Sequence, residues 1–69
     1  MSATLKAGII GLGILGRQHA EYLHKHDAVE VVAVADLRAE VGGAVAARLG
    51  AQSYTDCREM LRRHALDLV

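Results

Sequence analysis

Proline is missing from this 69-residue sequence, cysteine occurs once, and eight Lys and Arg are balanced by eight Asp and Glu. Without proline, a Ser-rich stretch or a low-complexity segment, nothing marks a linker, and residues 1–69 read as one continuous unit. A single thiol, Cys57, excludes an internal disulfide, and the four histidines show no spacing that suggests a metal. A net charge of zero with no run of five like charges argues against nucleic acid or a membrane surface as partner. No apolar stretch is long enough to span a bilayer, and Met1 to Lys6 lack the charged start and unbroken apolar segment of an export signal. The expectation is a cytoplasmic protein.

What is present is 52% apolar and 23% charged, far from the disordered class. A chain of about 60 residues buries only some 60% of its unfolded surface, so its core is marginal. Leu5 to Ile10 is mainly apolar and ends at a glycine, which predicts a strand covered on both faces. From Ile14 the period changes, with Leu15, His19 and Leu23 on one side of an amphipathic helix of about three turns. Val29 to Ala35 is rich in β-branched residues and closes on Asp36, giving a second strand. Val41, Ala44, Val45, Arg48 and Leu49 recur at helical spacing before Gly50, a natural cap, although Gly42 and Gly43 each cost a helix interior roughly 1 kcal/mol.

Gln52 to Tyr54 predicts a short strand. Asp56 with Glu59 three positions later opens a helix through Met60, Leu61 and His64, and Leu66 to Val69 begins a fourth strand. Val41, Val45, Met60 and Leu61 read as core contacts. The order βαβαβαβ predicts a Rossmann-type doubly wound α/β fold with a parallel sheet in the order 3-2-1-4, stopping at its fourth strand.

The chemistry gathers at the first turn. Gly11-Leu12-Gly13-Ile14-Leu15-Gly16 is a G-x-G-x-x-G that follows a predicted strand, opens a predicted helix and precedes by 20 residues an acid, Asp36, at the end of the next strand. Gly11 permits the tight turn, Gly13 leaves no Cβ between backbone and pyrophosphate, and Gly16 lets the helix pack closely on the sheet. The free amides at the helix start, around Ile14 and Leu15, then face a diphosphate. Asp36 lies where a carboxylate accepts both hydroxyls of the adenosine ribose and repels a 2′-phosphate, which favours NAD over NADP. Arg38 is placed to cover the adenine or to meet a phosphate, so NADP stays open. The cofactor-binding set is therefore Gly11, Gly13, Ile14, Leu15, Gly16, Asp36 and Arg38, with no catalytic residue and no metal ligand.

At these residues the sequence resembles the Gfo/Idh/MocA oxidoreductases, the family of glucose-fructose oxidoreductase and inositol dehydrogenase. Ala7 to His19 looks like that family's opening, whose fingerprint often extends to a His three residues past the last Gly. Val32 to Asp36 resembles its second strand, Ala46 to Gly50 the end of its second helix, Tyr54-Thr55-Asp56 with Glu59-Met60-Leu61 its short strand and third helix, and Leu66 to Val69 the start of its fourth strand. The resemblance implies an NAD(P)-dependent oxidoreductase that moves hydride between nicotinamide and a hydroxyl-bearing carbon of a sugar, cyclitol or related compound. It also implies a longer chain, with a Glu-Lys-Pro strand and a separate substrate domain, neither of which lies in these 69 residues. The sequence accordingly reads as the incomplete nucleotide-binding portion of such an enzyme, acting on a small-molecule substrate as a whole, with homo-oligomers possible. The open edge of its fourth strand predicts partial unfolding or self-association of the chain alone. The alternative is a non-catalytic nucleotide-binding or interaction module, or an inactive fragment.

Among the remaining polar residues, His19 shares a face with Leu15 and Leu23 and reads as a core or helix-to-sheet hydrogen-bonding residue rather than a catalytic one. Arg17 reads as solvated, with phosphate contact as the alternative, and Cys57 as a half-buried, unreactive thiol. His24, His26 and His64 read as surface residues near helix ends, and Arg62 with Arg63 as the polar side of the third helix.

Overall fold

A computed structural model describes residues 4–69. Met1, Ser2 and Ala3, on which the export-signal reading partly rests, lie outside the described residues. Among the described residues no helix is long and apolar enough to cross a membrane.

Strand β1 (Leu5–Ile10), helix α1 (Ile14–His24), β2 (Val29–Ala35), α2 (Ala39–Leu49), β3 (Gln52–Tyr54) and α3 (Cys57–Arg63) follow in the predicted order. The three strands run parallel with β2 central, and the segment after α3 returns to the free edge of β1. There Leu68 forms a parallel bridge with Ala7, and the amide of Gly8 donates to the carbonyl of Leu68 at 3.0 Å. The spatial order is thus 3-2-1 with the start of a fourth strand beside β1, as the order 3-2-1-4 requires. Leu66 to Val69 makes this one bridge rather than a ladder, supported by the Asp67 amide donating to the Lys6 carbonyl and the Lys6 amide to the Asp67 carboxylate, each at 2.7 Å.

Helices cover both faces of the sheet. On one, Ala20 of α1 and Ala46 and Leu49 of α2 pack with Ala7, Ile9, Val31 and Val34; on the other, Met60 of α3 packs with Ala33 and Ala35. Parallel strands buried in this way must be apolar on both sides, which is why β2 reads as a nearly continuous run of Val and Ala. One irregularity was not legible in that run. Ala7 pairs with Val31 but Gly8 pairs with Ala33, so β2 carries an extra residue that keeps Val31 and Val34 on the same face.

The helix faces differ from the sequence expectation in two places. In α1 the residue fully buried is Ala20, with Gly16 and Leu23 half-buried, whereas Leu15 is 68% exposed and His19 is exposed. The face against the sheet runs Gly16-Ala20-Leu23, because the small residues allow the close approach and the larger Leu15 is left outside. His19 is neither core nor a helix-to-sheet tie; it lies at the rim of a recess with Ile9, Tyr22 and Leu68. In α3 Met60 is wholly buried but Leu61 is 47% exposed, so of these two the methionine alone serves the core, with Cys57 packing beside it. Val41 and Val45 are half-buried and pack against the core as expected.

Caps and pairs account for the element ends. Gly50 ends α2 in the left-handed region, φ +70°, and the Asp56 carboxylate accepts from the amide of Arg58 at 2.9 Å to start α3. Glu59 does not complete a reciprocal box; it bonds to Arg62 and Arg63 instead. His64 is not a plain surface residue: half-buried at the end of α3, it shares a 2.8 Å hydrogen bond with the Tyr54 hydroxyl, the two rings meeting edge to face.

The two glycines inside α2 have unequal reasons. A Cβ on Gly42 would come within 2.8 Å of the Ser53 Oγ, so this glycine brings α2 close to β3, whereas Gly43 faces open space. Gly43→Ala is expected to stabilise the chain by about 0.5–1 kcal/mol, since it only removes backbone freedom from the unfolded state. A thermal melt of the two chains side by side checks this, and an unchanged or lower midpoint would contradict it.

Candidate functional site

In a parallel sheet the residues just past the carboxyl ends of neighbouring strands stand side by side. Here Ile10 pairs with Ala35 and Ala35 with Tyr54, so Gly11, Asp36 and Thr55 form one row at that end. The row is laced by main-chain bonds: the Gly11 amide donates to the Ala35 carbonyl at 2.8 Å and the Asp36 amide to the Tyr54 carbonyl at 3.0 Å. Above it opens a cleft of about 570 Å³, walled by Ile10, Ala35, Leu37, Thr55 and Cys57, with Gly11, Asp36 and Arg38 also lining it.

The three glycines of the turn meet different demands. Gly11 has φ +85°, which an L side chain rarely adopts. A Cβ on Gly16 would lie 1.9 Å from the Gly11 carbonyl oxygen, so α1 can cross the turn only without one. Gly13 is different: its backbone is ordinary, φ −69° and ψ −165°, and nothing lies within 4 Å of where its Cβ would be. As the residue preceding α1 it offers no side-chain cap, and no acid stands in the first helical turn. The amides of Ile14, Leu15 and Gly16 therefore have no acceptor in the helix or from a cap, and Ile14 and Leu15 are 75% and 68% exposed. Helix-start amides left in this way favour an anion.

Asp36 is the buried charged residue among those described, with 6% of its side chain exposed. Its Oδ2 accepts from the Leu12 amide at 2.8 Å and its Oδ1 from the Arg38 amide at 2.8 Å, tying the turn after β1 to the turn after β2. Arg38 adds a forked ion pair, Nε to Oδ1 at 2.9 Å and Nη2 to Oδ2 at 3.0 Å. These partners, the Arg38 guanidinium first and then the two amides, hold the carboxyl well below the usual carboxylate range. A carboxylate more acidic in the folded than in the unfolded chain contributes stability that is fully present above its ordinary value near 3.8 and fades as the pH falls below it. Glu59, held low by Arg62 and Arg63, and Asp56, held low by Arg58, add in the same sense. The melting temperature is expected to fall steadily between about pH 5 and pH 2. Asp36→Asn should flatten part of that fall; an identical slope in the variant would contradict the assignment.

The structure thus brings Gly11, Asp36 and Arg38 to one cleft, while Gly13, Ile14, Leu15 and Gly16 form the adjoining helix start. Arg17 is exposed and its amide donates to the Gly13 carbonyl at 2.9 Å. Thr55 and Cys57 were not among the residues singled out for the site. Topology was the available signal, since Thr55 follows the strand that pairs with β2.

The fold and this turn together define a parallel α/β protein of the nucleotide-binding class. The profile of the oxidoreductase family with an NAD-binding Rossmann fold, Gfo/Idh/MocA, matches residues 5–69. The inositol 2-dehydrogenase of Rubrobacter xylanophilus is 36% identical over 69 residues, which are 99% of this chain and 20% of that protein. The apo scyllo-inositol dehydrogenase of Lactobacillus casei superposes with a TM-score of 0.87 at 27% identity, over 100% of this chain and 22% of that one. The myo-inositol dehydrogenase of Lactobacillus casei, solved with NAD(H) and myo-inositol, gives 0.84 at 33% identity, over 96% and 21%. The chain spans about a fifth of the length of these relatives. It belongs to the Gfo/Idh/MocA oxidoreductase family, and its fold is that family's NAD-binding Rossmann fold.

Proposed function

We propose that this chain holds NAD through the turn Gly11 to Gly16 together with Asp36 and Arg38, as the nucleotide-binding portion of a dehydrogenase that oxidises a hydroxyl carbon of a sugar, cyclitol or related small molecule. The observation that carries the reading is Gly13. Neither its backbone angles nor its neighbours require a glycine, its side-chain space is open, and it directly precedes three helix-start amides without acceptors. A pyrophosphate fits that combination, since it needs close backbone approach and carries the charge those amides favour. The inositol dehydrogenase relatives support the substrate class.

When bound, the nicotinamide supplies hydride transfer. This chain's residues bind and orient: the α1 amides face the diphosphate, the Asp36 carboxylate takes the ribose hydroxyls, and the apolar wall of Ile10, Ala35 and Leu37 receives the adenine. The ionised Asp36 disfavours a 2′-phosphate, so NAD is the preferred nucleotide. The setting is cytoplasmic, where the cofactor is at hand and the single thiol stays reduced.

Calorimetric titration of the chain with NAD and with NADP tests the reading. Saturable binding of NAD, about tenfold tighter than NADP, is expected, with the gap narrowing in Asp36→Ser. A folded chain that binds neither nucleotide would refute it.

A further inference from the structure

We propose that Arg38 caps Asp36 in the free chain, its guanidinium standing in the acceptor positions that a ribose diol takes, so that nucleotide binding exchanges one pair of donors for the other. The proposal deepens the reading of Asp36 as the ribose acceptor and rests on it. A carboxylate offers about four lone-pair directions, two on each oxygen. Two are filled from the main chain, by the Leu12 amide on Oδ2 and the Arg38 amide on Oδ1, each at 2.8 Å. The other two are filled by the Arg38 side chain, Nε on Oδ1 at 2.9 Å and Nη2 on Oδ2 at 3.0 Å. Asp36 is saturated, and a diol placing one hydroxyl on each oxygen needs the two positions the guanidinium holds.

Which donors give way follows from their surroundings. The two amides belong to the turns that join β1 to α1 and β2 to α2, and releasing either would leave a main-chain donor unpaired beside the wholly buried Leu12 or open the turn at Arg38. The Arg38 side chain is 58% exposed on a flexible stem, so its donors can turn to water when they leave Asp36, which the two main-chain amides cannot do. The guanidinium therefore leaves and the amides stay. Its presence in the free chain has its own reason: with the fork in place 6% of the Asp36 side chain is exposed, and the guanidinium gives charged donors to the two lone-pair positions that the amides leave free. Arg38 does for the free chain what the diol does for the complex.

The test compares ADP with 2′,3′-dideoxy-ADP, which keeps the base and the diphosphate but has no hydroxyls to displace the cap. The ratio of their affinities, read by calorimetry, isolates the diol, because any contact between Arg38 and the base or phosphates cancels. In Arg38→Met the ratio is expected to rise at least about threefold, since the fork has one exposed and one covered partner and is worth no less than a surface pair. In Arg38→Lys, which keeps the charge without the fork, the rise should be smaller; this second variant also serves if the first does not give a native circular dichroism spectrum. A ratio that is unchanged or lower in both variants overturns the cap while leaving the nucleotide site standing. A folded parent chain that binds neither ADP nor its dideoxy analogue overturns the site reading, and the cap with it.

Discussion

Replacing Gly13 by valine is expected to leave the fold in place and to weaken NAD binding at least about 100-fold. The fold tolerates the change because the added Cβ meets no atom within 4 Å and the backbone angles suit any residue. The one structural penalty is a poorer residue at the start of α1, at most about 1 kcal/mol. Gly13→Ser sharpens the test, because serine caps helices well and should raise stability by a few tenths of a kcal/mol, while its side chain still occupies the open space at the start of α1. Stability and affinity then move in opposite directions. The pair of measurements is a thermal melt and a calorimetric titration on each variant, and undiminished NAD affinity in the valine chain would remove the pyrophosphate from this turn.

Gly16→Ala is expected to do the reverse and strike the fold itself. Its Cβ would lie 1.9 Å from the Gly11 carbonyl oxygen and 2.9 Å from the carbonyl carbon, both backbone atoms that no side-chain rotation can clear. Either α1 lifts off the sheet, uncovering Ala20 and Leu12, or the turn at Gly11 leaves its φ of +85°. Forced overpacking of this kind costs about 3 kcal/mol, and a chain below about 70 residues has little more than that in hand. The expected outcome is a largely unfolded chain at 25 °C by circular dichroism. A cooperative melt with the parent's midpoint would show that the close approach of α1 to Gly11 is not required.

Placed side by side, the two substitutions separate tasks that the motif's spacing already assigned to different glycines. The structure adds the geometry: Gly11 answers to its own torsion, Gly16 to a neighbouring carbonyl, and Gly13 to neither.

Much of the architecture was legible because it is written locally. The β-branched run of Val29 to Ala35, the glycine after Leu49 and the Asp56 cap each act within a turn or a strand of their own position, and the elements fall where those signals place them. The parallel order also followed, since βα units leave few alternatives. Asp36 was recognisable from its place at a strand end.

The residues misread are those whose surroundings come from elsewhere in the chain. Leu15 and His19 share a helical face, yet the side turned inward is Gly16, Ala20 and Leu23, because α1 crosses the Gly11 carbonyl so closely that only a glycine fits at that contact. Leu61 is exposed beside a buried Met60, and His64 finds the hydroxyl of Tyr54 ten positions back. The same holds for the site. That Asp36 would grip the amide of Leu12, 24 positions earlier, and saturate itself with Arg38 depends on two turns being brought to one edge.

By itself, then, the sequence determined the order and type of the elements, the parallel α/β class and the glycine turn with its distant acid, because periodicity, glycine torsions and capping operate over a few residues. Tertiary structure alone decided which helix face is buried, where β2 takes up its extra residue, which partners fill the Asp36 carboxylate and which walls enclose the cleft. Those outcomes depend on distances between segments far apart along the chain, and such distances exist only once the sheet has assembled.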